Sequence, residues 1–126
     1  MAFEEIHGPE GAKRIEAVRG NMFVVGGDAQ AGAFLIWPAA IVPADIPDLS
    51  ALKLADFEAV LAIDPARDVL LIGSGARMAW PPLALLEQLR ARGLGPEVMD
   101  SRAAARTYNL LVAEDRQVAA LILPLI

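Results

Sequence analysis

The sequence contains no cysteine and one histidine, His7. Without cysteine there is no disulfide framework, thiolate nucleophile or zinc–thiolate site. One imidazole nearly closes off histidine-based triads and multi-histidine metal sites. Basic residues are in short supply as well: 11 Lys and Arg stand against 16 Asp and Glu, a net charge of −5. That balance argues against nucleic acid or anionic lipid as a partner. No apolar run reaches spanning length. Residues 33–44 are interrupted by Pro38 and Pro43, and residues 118–126 by Pro124, whereas a spanning helix needs about 20 apolar residues. The first ten residues carry Glu4, Glu5 and Glu10 and no Lys or Arg. No signal-peptide n-region is read there, and a cytoplasmic protein without a transmembrane segment is expected.

What is present points to a folded domain. The chain has 126 residues, of which 56% are hydrophobic and 21% charged. That is too apolar for disorder and long enough to bury a core without metal or disulfide support. An irregular arm is expected over residues 1–12, punctuated by Gly8, Pro9 and Gly11, followed by a single domain over 13–126. Charge divides unevenly. Residues 1–63 hold four basic side chains against nine carboxylates, and residues 64–126 hold seven arginines against seven carboxylates.

Hydrophobic patterning gives the elements. Charged and apolar residues alternate from Lys13 to Arg19, the period of a half-buried strand. Gly20-Asn21 reads as a turn, Met22 to Val25 as the next strand, and Gly26-Gly27-Asp28 as a second turn. Ala29 to Trp37 reads as one long strand ended by Pro38, with Ala40 to Val42 as another short one. Asp48 or Ser50 is a candidate cap, and Ala55 to Ala62 reads as a helix holding Phe57, Val60 and Leu61. Asp68 to Gly73 is a continuous apolar run, the mark of a strand buried on both faces. Pro81-Pro82 opens a helix with Leu85, Leu86 and Leu89 on its apolar face and Gly93 beyond its end. Glu97 to Met99 follows as a strand, predicting a parallel pair with a right-handed crossover. Asp100-Ser101 starts the next helix, which runs to Ala113. Ala104, Tyr108 and Leu111 form its core face, with Arg102, Arg106 and Asn109 on another. After the polar turn Glu114-Asp115-Arg116, residues Gln117 to Leu123 form the last strand. The fold class is therefore α/β: a β-rich first half, a βαβ-type second half, and one central mixed sheet with helices packed on it.

Ligands of open α/β sheets collect at the carboxyl ends of parallel strands. Gly73, Ser74 and Gly75 stand at one such end. Asp100 and Ser101 stand at the neighbouring one, opening the helix that carries Arg106, Tyr108 and Asn109. Glycines aim backbone N–H groups, the helix start adds its positive dipole end, and an arginine completes a small anion site. The same residues also read as a tight turn, a helix cap and a packed tyrosine. Ser74 lacks the G-x-S-x-G context of a nucleophile, and Asp64, Asp68 and Glu97 lack metal-ligand spacing. No catalytic set, cofactor or metal site is expected. Trp37 and Trp80, each beside prolines, read as core or edge packing. An exposed apolar patch beside either would be a protein-contact surface.

Four runs occur in order: Leu-Leu-Ile-Gly-Ser-Gly (70–75), Leu-Gly-Pro-Glu-Val-Met-Asp-Ser (94–101), Ala-Ala-Arg-Thr-Tyr-Asn-Leu-Leu (104–111) and Glu-Asp-Arg-Gln-Val-Ala-Ala (114–120). Together they resemble a small family of unknown function. It includes the adipogenesis-associated domain protein of animals, a mitochondrial respiratory complex I assembly factor, and many single-domain bacterial and archaeal members. The resemblance covers nearly the whole chain, with Gly26-Gly27, Phe34 and Pro43-Ala44-Asp45 placed in the first half. Ser74 and Ser101 stand where the family usually has Thr, which keeps the hydroxyl. Ala105 stands where it often has Cys, so a thiol is not required here. The resemblance implies a three-layer domain around a central mixed sheet. It implies no reaction, and it suggests an accessory role in assembling a membrane-bound respiratory complex.

Two functions follow. The first is a non-catalytic interaction or assembly factor with an unidentified protein partner. The second is a binding protein or enzyme for a small anion at Gly73–Gly75, Asp100 and Arg106. A homodimer is compatible with the composition, but no interface for one is legible.

Overall fold

The computed structural model describes residues 10–126. His7 and most of the expected arm lie outside the described residues. The strands β1 (Ala17–Arg19), β2 (Met22–Val25) and β3 (Asp28–Gln30) form a small antiparallel sheet. A second, five-stranded sheet follows. Its strands are β4 (Phe34–Trp37), β5 (Ala40–Pro43), β6 (Val69–Gly73), β7 (Gly95–Met99) and β8 (Val118–Ile122), in the order β5-β4-β8-β6-β7. β6 runs parallel to β7 and β8, while β4 runs antiparallel to β5 and β8. The helices are α1 (Glu58–Leu61), α2 (Leu83–Ala91) and α3 (Ser101–Ala113).

Side chains of the central strands alternate between two cores. On one face Phe34, Ile36, Leu71, Val118, Ala120 and Ile122 pack with α3 and the small sheet. On the other, Leu35, Leu70, Ile72, Ala119 and Leu121 pack with α1 and α2. Strands β4, β6 and β8 are thus covered on both sides, which is why they read as unbroken apolar runs. The helix ends follow local chemistry. The Asp100 carboxylate accepts from the Ala103 N–H at 2.9 Å, and Gly93, just past α2, has φ +86°.

Several sequence expectations are corrected. The first half does not join a single sheet. Ala29 to Trp37 is two strands, β3 and β4, in different sheets, separated by a bend at Ala31-Gly32. This stretch has no large side chain to carry a strand across the junction. Residues 13–16 are not in a strand. The Lys13 N–H donates to the Pro38 carbonyl at 2.8 Å and Ile15 bonds to a helix side chain, so ladder pairing begins only at the Glu16 N–H, which donates to the Val24 carbonyl of β2 at 2.8 Å. The helix read over Ala55 to Ala62 is a 3-10 turn, Leu54–Phe57, running into the single turn of α1. Asn109 belongs to the core side of α3, not to the polar face with Arg102 and Arg106. It follows Tyr108 directly and lies one turn beyond Ala105, both fully buried.

Candidate functional site

The junction between the sheet and α3 is built by Gly73, Ser74, Gly75, Asp100 and Ser101. Ser101 is fully buried. Its hydroxyl accepts from the Gly75 N–H at 2.8 Å and donates to the Leu123 carbonyl at 2.6 Å. The Ser101 N–H returns a bond to the Gly75 carbonyl at 2.8 Å, and the Ser74 N–H donates to Met99 at 2.8 Å. The ends of β6, β7 and β8 are thereby tied to the first turn of α3. The approach is close enough to require glycine: a Cβ on Gly73 would meet the Ser101 Oγ at 2.9 Å and its Cα at 3.0 Å. Gly75 has φ +107°, a backbone state that other residues rarely adopt.

Tyr108 and Asn109 lie about two turns further along α3 and serve a different segment. The Tyr108 hydroxyl donates to the Lys13 carbonyl at 2.8 Å. The Asn109 amide accepts from the Ile15 N–H at 2.9 Å and donates to the Ile15 carbonyl at 2.7 Å, as a strand neighbour would. Arg106 is exposed and makes no ion pair with another described residue. The eight residues singled out from the sequence therefore fall into a five-residue junction, a two-residue clamp on the chain at 13–15, and one surface arginine. The amides of Gly75, Ser101 and Ala103 already have protein acceptors. An anion bound to these amides would displace those acceptors, and each displacement offsets the gain from the new bond.

Tyr108 is the only tyrosine in the chain. Burial pushes its phenol well above the ordinary value, with Arg67 opposing the shift weakly. Its contribution to stability is complete below about pH 10, where the unfolded phenol is still protonated, and is lost as pH rises above that. For one proton the loss is about 1.4 kcal/mol per pH unit. Absorbance near 295 nm is expected to stay flat while the protein is folded, then step up together with the loss of circular dichroism. A smooth titration centred near pH 10 in folded protein would contradict this, and Tyr108→Phe removes the step.

Two features lie at the surface: an apolar patch of the kind expected beside Trp37 or Trp80, and a cleft that the sequence did not place. Residues 74–82 connect β6 to α2. The Ser74 hydroxyl braces this loop, donating to the Arg77 carbonyl at 2.6 Å and accepting from the Ala79 N–H at 3.1 Å. Met78, Trp80 and Leu83 are 46%, 69% and 66% exposed. Trp37 is instead half-buried against the core on the α1–α2 side. The second feature is a cleft of about 430 Å³. Its walls are the β3–β4 connection at 31–33, the segment 44–49 after β5, Ser74-Gly75 and the C-terminal residues Leu123, Pro124 and Ile126. A third feature is buried: Arg67 donates to the Pro65 carbonyl at 2.9 Å but has no partner for its Nε among the described residues. Desolvation lowers its pKa, opposed by Asp68.

Among the described residues no helix is long and apolar enough to cross a membrane. The fold and the junction define a small α/β domain in which glycine and serine lock sheet to helix. Residues 15–123 match the family described as "Protein of unknown function (DUF498/DUF598)", and the chain belongs to that family. It is similar to NADH dehydrogenase (ubiquinone) 1 alpha subcomplex assembly factor 3 of Danio rerio, 30% identical over 102 residues, 81% of this chain and 59% of that protein. It is 36% identical over 78 residues to the "13 kDa major membrane protein" of Francisella tularensis, 62% of each chain. The chain thus spans about 60% of the length of these relatives. The crystal structure of an outer membrane protein from Bartonella henselae has the same fold, with TM-score 0.80 and 31% identity over 94% of this chain and 98% of that one.

Proposed function

We propose that this protein is a non-catalytic assembly factor. It holds a subunit of a membrane-bound respiratory complex, working from the cytoplasm, with Met78, Trp80 and Leu83, at the entry to α2, as its contact surface. The observation that carries the reading is the similarity to a complex I assembly factor over 81% of this chain. The names of the Francisella and Bartonella relatives point to membranes too. The loop supports it independently. Two large apolar side chains, Met78 and Trp80, lie open on a connection whose backbone is braced at its base, and Leu83 on the first turn of α2 adds a third, an arrangement that costs solubility and lowers the ordering cost of docking. Aromatic anchors of this kind dominate binding at interfaces.

The test is co-purification from the membrane fraction of the source cells. Wild type is expected to retain a subunit of a respiratory complex. Trp80→Ser is expected to reduce that retention about tenfold or more, the scale of a binding hot spot, while leaving the melting temperature unchanged because the side chain is exposed. Wild type that never enriches such a subunit sinks the proposal.

A further inference from the structure

The cleft beside Gly75 has a definite chemical character. Its walls are apolar at Ala33, Ile46, Leu123 and Pro124. The charged residues lining it are Asp45 and Asp48, and no Lys, Arg or His is among them. Asp48 caps the 3-10 turn Leu49–Ala51 through one oxygen, Oδ1, which accepts from the Ser50 and Ala51 N–H groups and the Ser50 hydroxyl. The Ser50 hydroxyl bond above all holds its pKa below the usual carboxylate value, so it stays ionised. Asp45 has no hydrogen-bond or ion-pair partner among the described residues. The two segments of the first half that line the cleft, 31–33 and 44–49, carry these two carboxylates and no cation. A cavity of this size with apolar side chains on part of its wall and a negative rim suits a cation on an apolar body and repels an anion.

The cleft also adjoins the braced loop. Ser74 lines the cleft, and its hydroxyl holds the backbone of Arg77 and Ala79. The cleft and the loop thus share Ser74, just past the carboxyl end of β6. We propose that the cleft takes a short peptide segment of the partner protein in which a lysine or arginine is flanked by apolar residues, the cation at Asp45 and the apolar neighbours against Ala33, Ile46 and Leu123. The inference rests on the docking reading above and names the chemistry of what docks.

The test is a chemical-shift titration of the isolated protein with acetyl-Leu-Lys-Leu-Lys-Leu-amide. The control probes are its Leu-Glu counterpart and n-butylammonium chloride. The lysine peptide is expected to shift the amides of 31–33, 44–49, Ser74 and Gly75, and to bind about tenfold tighter than the glutamate peptide. Asp45→Asn is expected to weaken it about two- to fivefold, the range of an exposed ion pair. Gly32→Phe should abolish the shifts. Gly32 lines the cleft, a Cβ on it meets nothing within 4 Å and its φ is outside the left-handed region, so a bulky ring is accommodated at the cleft wall without backbone strain.

Three outcomes overturn the inference: shifts that map elsewhere, binding that survives Gly32→Phe, or n-butylammonium shifting the same amides as strongly as the peptide does. The last would make the cleft a site for small amines. Failure here is separable from failure of the assembly reading. Co-purification that persists in Asp45→Asn and Gly32→Phe keeps the loop as the contact and removes the cleft. Probe binding in the cleft without any co-purified respiratory subunit keeps the cleft and removes the respiratory partner.

Discussion

Asn109→Ala is expected to destabilise the protein by about 2–5 kcal/mol, with a drop in melting temperature on the order of 10 °C. The side chain makes both hydrogen bonds of the Ile15 backbone, at 2.9 and 2.7 Å, in a position that is only 4% exposed. Truncation strands a buried N–H and a buried carbonyl, each costing about 1–3 kcal/mol. Alanine is the better helix former, but by only about 0.5 kcal/mol, so the lost bonds decide the sign. The loss is also local. Ile15 is buried in the core beneath the small sheet. Hydrogen exchange at the Ile15 amide and along β1 is therefore expected to accelerate more than exchange in β6 or β8. Uniform acceleration, or a loss under about 0.5 kcal/mol, would show that Asn109 does not hold this segment.

Ser101→Ala is expected to cost about 2–4 kcal/mol through the same physics at the other end of α3. The hydroxyl satisfies the Gly75 N–H and the Leu123 carbonyl, and alanine at this fully buried position beside Gly73 removes the partner of both. The expected result is a lower urea midpoint with an unchanged denaturant slope, because the compactness of neither state is altered. An unchanged midpoint would mean that the two backbone groups find other partners. Thr in place of Ser101 keeps the hydroxyl, which fits the resemblance noted from the sequence: what this position requires is the donor–acceptor pair.

Much of the fold is legible in the residues. The run Asp68 to Gly73 is apolar without alternation, and β6 is covered on both faces. Asp100 is a cap by residue type and by hydrogen bond. Leu85, Leu86 and Leu89 face the core as their spacing requires. The eight site residues are less well read. Glycine, serine and aspartate at strand and helix ends are the residues that bind anions, and they are equally the residues that close a junction internally. Sequence spacing does not tell a bond to a ligand from a bond to Leu123. Asn109 shows a related limit. Its polarity assigned it to solvent, yet its register beside Tyr108 put it in the core, where a backbone segment 94 positions away supplies both partners.

The sequence by itself determined β2, β6, β8, α2 and α3, the Asp100 cap, the absence of thiol chemistry and the negative first half. Each depends on residue type or on a period of a few residues, so it can be read locally. Only the tertiary structure decided that the first half splits between two sheets, that Trp80 is open while Trp37 is half-buried, that Tyr108 and Asn109 clamp the chain at 13–15, and that Asp45 borders a cleft with apolar side chains on its wall. A local pattern says which face of an element is apolar. What covers that face depends on segments distant in the chain, and at Met78, Trp80 and Leu83 nothing within the described chain covers it.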